Sequence, residues 1–250
     1  MERNLKVRIG YCGTAYHGFQ RQNNAVSVQS VLEDRLSRLT ASEVKINGCS
    51  RTDTGVHANE YFFSFRTDHT IPCENIVRGM NSLLPEDIAV FDCEEAPEDF
   101  HARYSCIGKE YVYKFLNRST RDPFLDKRVL HYPYKMDIAL MNAAAERIVG
   151  THDFSAFCGA LGAKEDSVRT VYGCSVSREG DIVTLTVSGD GFLYNMVRII
   201  AGTLIYINEG KIGENDIPKI LEARDRSLAG KTAKACGLYL NRVFYGDIPD

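Results

Sequence analysis

The stretch Cys49-Ser50-Arg51-Thr52-Asp53-Thr54-Gly55-Val56-His57-Ala58 is polar, contains turn-forming residues and lies between two apolar segments. Residues 44–46 lead into it, and the aromatic run at residues 61–65 follows it. Apolar runs on both sides of a polar stretch predict a loop between two strands. We therefore expect a strand near Val44, a loop that Arg51, Asp53 and His57 share, and a second strand that reaches Arg66.

Asp53 allows two interpretations at this stage. An aspartate near a glycine commonly stabilises a turn through side-chain to backbone hydrogen bonds. A loop on a rigid sheet is also a common place for catalytic residues, and Arg51 and His57 lie close in sequence. Asp53-Thr54-Gly55 is the active-site tripeptide of aspartic proteases, but those enzymes need two such carboxylates and the chain has one copy in a helix-containing pattern. We reject the protease interpretation.

Outward from this loop, the first half of the chain predicts the order β-α-β-β-α-β. Alternating apolar residues from Leu5 to Tyr11 predict a strand, and apolar residues at helical spacing after Ser27 predict a helix capped by that serine. A second helix ends before Pro85, and residues 88–93 form the last strand of the set. The acidic stretch at residues 94–99 is a plausible connector.

The second half of the chain repeats the same core order. Strands are expected at residues 111–116, 168–176, 182–187 and 238–245, and helices after Asp137 and over residues 193–208, with a short one near residues 216–223. We predict an α+β fold of two tandem ferredoxin-like halves, 1–97 and 98–250, whose antiparallel sheets face across a central cleft. Clefts between such halves are common ligand sites.

Composition narrows the function classes. The 8 cysteines and 6 histidines are scattered without metal-ligand spacing, so we expect reduced thiols, no metal site and a cytoplasmic protein. No apolar stretch has membrane-spanning length, and the N-terminus enters a strand pattern without a signal peptide. Residues 1–100 carry 10 Lys and Arg against 15 Asp and Glu, and residues 101–250 carry 20 against 18. Basic clusters at residues 118–128 and 224–234 permit a nucleic-acid surface but also suit a solvated face.

Two further residues also allow two interpretations each. Arg198 lies within an apolar helical pattern, where a buried guanidinium needs a carboxylate or phosphate partner, or else extends its charge into solvent. Tyr111 lies in a predicted strand, where an aromatic side chain usually packs in the core or across strands.

Along nearly its whole length the chain resembles the TruA family of tRNA pseudouridine synthases. Residues 50–58 are similar to the family signature G-R-T-D-x-G-V-H-A, with Ser50 in place of the first glycine. Phe19 and Lys234 also depart from the residues common in the family, tryptophan and proline. The supporting segments are Tyr11-Cys12-Gly13-Thr14, His17-Gly18-Phe19-Gln20-Arg21-Gln22, Phe100-His101-Ala102-Arg103, Tyr111-Val112-Tyr113, Arg121-Asp122-Pro123-Phe124, His152-Asp153-Phe154-Ser155-Ala156-Phe157, Gly191-Phe192-Leu193-Tyr194-Asn195-Met196-Val197-Arg198 and Gly237-Leu238-Tyr239-Leu240.

The resemblance implies a cofactor-free enzyme that isomerises uridine to pseudouridine in the anticodon stem-loop of tRNA, with positions 38–40 of the tRNA expected. It also implies a homodimer with a basic RNA-binding cleft. Asp53 corresponds to the catalytic aspartate, and Tyr111 to the tyrosine that packs on the uracil. Arg198 corresponds to the arginine that supplies a positive charge to the aspartate, and Arg51 to the residue that fills the space left by the flipped base. The alternative is a catalytically silent tRNA-binding or tRNA-folding module of the same fold.

Overall fold

The computed structural model describes residues 2–159 and 166–246 and shows a mixed α+β fold, as the sequence predicts. Within these residues there are ten strands and five α-helices. In chain order they are β1 (Arg3–Tyr11), α1 (Val28–Thr40), β2 (Asn47–Gly48), β3 (His57–Thr67), α2 (Cys73–Leu83), β4 (Ile88–Glu95), β5 (Gly108–Leu116), β6 (Leu130–His131), α3 (Ile138–Glu146), β7 (Gly150–Asp153), β8 (Val168–Glu179), β9 (Ile182–Gly189), α4 (Met196–Asn208), α5 (Ile217–Ala223) and β10 (Leu238–Phe244).

The chain forms two compact units. The first comprises Met1–Ile107 and Tyr239–Asp250, and the second comprises Gly108–Leu238. These boundaries differ from the predicted halves, 1–97 and 98–250, because β10 pairs in parallel with β3 and so belongs with the first unit. Pairing between strands far apart in sequence leaves no local pattern, so the sequence could not place β10.

The first unit is built on a sheet with the strand order β4-β1-β3-β10, in which β1 runs antiparallel to both β4 and β3. Its core comes from the alternation that the sequence shows, since Val7 lies opposite Phe63 and Ile9 opposite Tyr61. All four side chains are buried. Helices α1 and α2 contact each other, and α2 packs on β4.

Helix ends follow the predicted signals. Ser27 caps α1, because its Oγ accepts a hydrogen bond from Ser30 N at 3.2 Å and Ser30 Oγ accepts one in return from Ser27 N. Asp137 caps α3 in the same way, with Oδ1 accepting from Leu140 N at 3.1 Å. Pro85 follows α2 at its expected end.

The strand expected near Val44 is displaced. Residues 44–46 are not in a strand, and the pairing with β3 is confined to Asn47 and Gly48. Val44 and Ile46 are nevertheless buried, so the apolar pattern predicted their burial and not their backbone conformation. Short apolar runs do not specify secondary structure by periodicity alone.

The second unit has the strand order β5-β9-β8-β7, antiparallel throughout, with β6 parallel to β5. Helix α3 packs on β8 and against α4, and α4 contacts β5. The short strands β6 and β7 were not predicted, since two and four residues are too few to show an alternating pattern. In the described residues, no helix is both long and apolar enough to cross a membrane.

Candidate active site

Asp53 lies in the loop between β2 and β3, as the sequence predicts. Its side chain is half-buried. Its backbone carbonyl accepts a hydrogen bond from Val56 N at 3.1 Å, so Asp53 begins a tight turn. The turn interpretation of this residue is therefore correct for its backbone. A turn made by the backbone does not assign a role to the carboxylate.

His57 is not part of the loop that the sequence assigned to it. It is the first residue of β3, is 1% exposed and stacks on Tyr239 at 4.6 Å between ring centroids. Its Nδ1 accepts a hydrogen bond from Gly13 N at 3.1 Å. The hydrogen bond and the ring contact hold His57 in the core, so it acts as a structural support.

The segment after β1 holds the Asp53 loop in place. Tyr11 Oη and Thr52 Oγ1 form a buried hydrogen bond of 2.8 Å. Phe19 N donates to Thr52 O at 3.1 Å, and Gly55 N donates to Tyr16 O at 3.3 Å. Tyr16 and Phe19, to which the sequence motifs assigned no role, therefore fix the backbone on both sides of Asp53.

One glycine is essential to this arrangement. A Cβ at Gly13 would lie 1.9 Å from the carbonyl oxygen of Val56, which is far inside van der Waals contact. Only a residue without a side chain lets the two backbones approach so closely. The sequence pattern around Gly13 is thus explained by packing against the loop.

Aromatic side chains lie beneath the loop. Phe19 stacks on Tyr61 with ring centroids 4.1 Å apart. Tyr61 Oη donates to Ser50 O at 2.5 Å and accepts from Ser50 N at 3.3 Å. The loop is therefore anchored at Ser50 as well as at Thr52, and Arg51 lies between these anchors with its side chain exposed.

In the second unit, Tyr111 lies on β5 opposite Val187 of β9. It is 7% exposed and meets Phe192 edge-on, with ring centroids 5.1 Å apart. The cross-strand position agrees with the structural interpretation of this tyrosine. The same packing gives the ring a fixed orientation, which a residue that stacks on a base requires.

Arg198 lies in the first turn of α4 and is half-buried among buried apolar neighbours. Its Nε donates to Ala233 O at 2.8 Å, and its Nη1 donates to Asn195 Oδ1 at 2.7 Å. Asn195 is the N-cap residue and has a left-handed backbone, with φ 63°. The guanidinium is therefore held by specific hydrogen bonds and does not simply extend into solvent.

Residues 230–234 form a support for Arg198 that the sequence did not reveal. Gly230 N donates to Thr203 Oγ1 at 2.9 Å, and Ala233 N donates to Arg198 O at 3.0 Å. A Cβ at Gly202 would lie 1.7 Å from Lys231 O, so α4 and this segment touch through their backbones. Glycines in a helix and in a nearby loop are the only sequence signal of such a contact.

Tyr113 fixes the end of the same segment. Its hydroxyl donates to Lys234 O at 2.6 Å, and burial raises the pKa of its phenol above the usual value. Tyr113 therefore stays protonated and remains a hydrogen-bond donor at neutral pH. Its neighbour Cys236 also has a raised pKa, chiefly because it is buried.

Comparison with known protein families matches residues 9–105 and 144–246 to a family described as tRNA pseudouridine synthase. The chain belongs to the tRNA pseudouridine synthase family. The matched residues include Arg51, Asp53 and Arg198, whereas Tyr111 lies in the interval between the two matched ranges. The resemblance stated from the sequence motifs is therefore confirmed at the level of the family.

Individual members of the tRNA pseudouridine synthase family are similar over almost the whole chain. The protein named tRNA pseudouridine synthase A from Ruminiclostridium cellulolyticum is 46% identical over 244 residues, which cover 97% of this chain and 100% of the relative. Proteins of the same name from Acetivibrio thermocellus and a Thermoanaerobacter species are 45% and 44% identical over 243 residues, with the same coverage.

The possible metal ligands of the described residues are not clustered. Across residues 2–159 and 166–246, no three His, Cys, Asp or Glu side chains are grouped so that they could hold a metal ion. All eight cysteines are free thiols. The polar groups that the structure does gather are the Asp53 loop in one unit and the Arg198 support in the other.

Proposed function

We propose that the protein is a tRNA pseudouridine synthase that isomerises uridine to pseudouridine in the anticodon stem-loop of tRNA. The observation that carries this proposal is the half-buried carboxylate of Asp53, on a loop that the family match includes and that hydrogen bonds fix on both sides. A carboxylate in such a position suits covalent or acid-base chemistry on a flipped nucleotide.

The reaction assigns Asp53 the bond-breaking step. The N-glycosidic bond of the target uridine breaks, the uracil turns, and a carbon-carbon bond to the same sugar carbon forms. The uracil carbon that forms the new bond loses its proton, and the ring nitrogen released from the sugar gains one. The product is therefore an isomer of the substrate, and no net atom, electron or cofactor enters. Asp53 acts either as the nucleophile toward the sugar carbon or as a base at the sugar, and both routes need it ionised.

The other predicted residues bind the substrate. Tyr111 packs on the uracil, Arg198 supplies a positive charge that keeps the reacting carboxylate ionised, and Arg51 fills the space that the flipped base leaves. The exposure of Arg51 and the fixed orientations of Tyr111 and Arg198 support these roles. Asp53 and Arg51 lie in the first unit, and Tyr111 and Arg198 lie in the second.

The proposal includes a homodimer that works in the cytoplasm. Eight free thiols are typical of a protein in a reducing compartment, which supports the cytoplasmic assignment. Sedimentation of the purified protein tests the oligomeric state. A species with the mass of two chains is expected, and a monomer at micromolar concentration would contradict it.

The function itself is tested by incubating the purified protein with unmodified tRNA transcripts and mapping pseudouridine by chemical modification and primer extension. New pseudouridine confined to the anticodon stem-loop is the expected result. Pseudouridine in other parts of the tRNA would contradict the anticodon stem-loop as the target. Binding of tRNA without any new pseudouridine would contradict the enzyme and favour the silent tRNA-binding module.

A further inference from the structure

The motif Arg121-Asp122-Pro123-Phe124 forms an exposed turn that the proposed reaction does not use. Phe124 is 89% exposed, the largest fraction among the large apolar side chains of the described residues. A single exposed apolar residue is common on protein surfaces and has no meaning alone. Two other features of this turn, its rigidity and its charge, indicate that the exposed ring belongs to a binding surface.

The turn is held rigid by its own hydrogen bonds. Phe124 N donates to Asp122 Oδ1 at 2.9 Å, and Arg118 Nη2 donates to Asp122 Oδ2 at 3.1 Å. Leu125 N donates to Asp122 O at 3.2 Å, and Arg118 Nε donates to Thr120 O at 2.8 Å. Asp122 therefore caps a short 3-10 turn over Pro123–Leu125, with the exposed ring at its centre. An aromatic side chain that is presented by a fixed backbone loses little conformational entropy when it binds.

The charge around Phe124 is positive on a protein whose net charge is −3. Residues 118–128 contain the basic side chains of Arg118, Arg121, Lys127 and Arg128 and the acidic side chains of Asp122 and Asp126, a net charge of +2. Arg118 pairs with Asp122 and also with Asp181 from outside the segment, which leaves a net charge of +1 when Asp181 is included. Arg121 is exposed. Basic side chains around an exposed aromatic ring are typical of surfaces that bind unpaired nucleotides.

The segment that carries the turn is joined to the residues that hold Arg198. Cys236 Sγ donates to Val129 O at 3.5 Å, a few residues after Phe124. Arg198 Nε donates to Ala233 O at 2.8 Å, a few residues before Cys236. Hydrogen bonds therefore connect the end of the turn segment to the segment that binds the Arg198 guanidinium.

We propose that Phe124 stacks on an unpaired base of the tRNA anticodon loop while Arg121 contacts the phosphate backbone beside it. This inference rests on the proposed function and adds a substrate-binding contact outside the reacting residues. A second copy of this chain is the less suitable occupant. Most closed dimers are two-fold symmetric, and an isologous contact through this turn would set a positive segment against its own copy.

The first experiment measures the dissociation constant of unmodified tRNA for the full-length protein. Phe124→Ala is expected to weaken binding about tenfold, since stacking on one base contributes roughly 1–3 kcal/mol. Phe124→Trp keeps a stacking surface and is expected to bind within about twofold of the unchanged protein. Tyr134→Ala is the matched control, because Tyr134 is an aromatic residue of the same unit that is 69% exposed and outside the basic segment.

The kinetic readout separates a substrate contact from a structural role. Phe124→Ala is expected to raise KM for tRNA by about the same factor as Kd. It is expected to lower kcat at saturating tRNA by less than that factor, and to leave the thermal unfolding midpoint unchanged. Loss of kcat with unchanged Kd would overturn the stacking role. Equal binding by Phe124→Ala and the unchanged protein would overturn it as well.

The phosphate contact is tested through its salt dependence. Arg121→Glu is expected to weaken tRNA binding and to reduce the slope of log Kd against log salt by about one, as removal of one phosphate contact requires. Lys219→Glu makes the same change of charge at an exposed lysine of α5 and is expected to change the slope less. Equal slopes for the two variants would overturn the contact.

Three outcomes separate this inference from its alternatives. If Phe124→Ala converts a dimer to a monomer and leaves tRNA affinity per active site unchanged, the turn is a self-association surface and the RNA contact is wrong. If the unchanged protein forms pseudouridine but Phe124→Ala binds tRNA normally, only this inference fails. If the unchanged protein binds tRNA and forms no pseudouridine, the proposed function fails.

Discussion

The hydrogen bonds described for the Asp53 loop and for the start of α4 act on different groups. At Asp53 the hydrogen bonds named above fix the backbone, through Thr52 O, Asp53 O and Gly55 N. At Arg198 they fix the side chain itself, through Ala233 O and Asn195 Oδ1. A change near Asp53 should therefore act by moving the loop, whereas a change near Arg198 should act by releasing the guanidinium.

The difference also reflects the chemistry proposed for each group. A carboxylate that reacts with the sugar must reach the substrate. The backbone hydrogen bonds of residues 52–55 position the loop that carries it. A guanidinium that supplies a fixed charge works best when its orientation is set before the substrate arrives, because no reorganisation is then needed during the reaction. The four predictions below test this contrast, from the largest expected effect to the smallest.

Asp53→Asn is expected to lower pseudouridine formation by at least about 10³-fold, because the amide cannot act as nucleophile or base. Binding of tRNA should persist within about threefold, since the shape of the side chain is kept. Single-turnover formation of pseudouridine and a binding titration measure the two quantities. Asp68→Asn, a change at an exposed aspartate of the same unit, is the control and should retain activity.

Arg198→Lys is expected to reduce kcat/KM about 10- to 100-fold. Lysine keeps the charge but cannot make both hydrogen bonds of the guanidinium, and a hydrogen bond to a charged group contributes roughly 1.5–3 kcal/mol. Asn195→Ala removes one of the two partners and should show a smaller loss in the same assay. The control is Arg147→Lys, the same change at an exposed arginine of the same unit. Equal activity of Arg198→Lys and this control would show that the fixed geometry of the guanidinium is unimportant.

Gly13→Ala and Gly202→Ala are each expected to lower the free energy of unfolding by about 1–3 kcal/mol, because their Cβ atoms would overlap the carbonyl oxygens of Val56 and Lys231. Denaturant titration measures the loss. Gly246→Ala, where a Cβ meets open space, is the control and should be close to neutral. Full stability and full activity of either alanine variant would show that the close backbone approach at that glycine is not required.

Tyr11→Phe is expected to destabilise the protein by about 1 kcal/mol, because it leaves the buried hydroxyl of Thr52 without this partner. Thr52→Val should cost a similar amount for the same reason. The double variant removes both hydroxyls and should be less destabilised than the two single changes added together. Additive losses in the double-mutant cycle would show that the 2.8 Å contact contributes nothing to the stability of the loop.

Much of the fold was predictable because it depends on local patterns. The alternation from Leu5 to Tyr11, the caps at Ser27 and Asp137, and the strands at residues 168–176 and 182–187 all agree with the structure. The errors have one cause as well. The strand expected near Val44 and the place of His57 depend on pairing with residues far away in sequence, which a local pattern does not record.

The sequence by itself determined the fold class, the family and the loop position of Asp53. Periodicity, caps and motif order are properties of short segments, and they survive without knowledge of their neighbours. Only the tertiary structure decided that Tyr11, Tyr16 and Phe19 hold that loop, and that residues 230–234 hold Arg198. These contacts join segments more than 30 residues apart, and all but the Tyr11–Thr52 pair use a backbone carbonyl, which is the same in every residue type. Their partners are therefore set by packing and leave little trace in the sequence beyond the glycines at the close approaches.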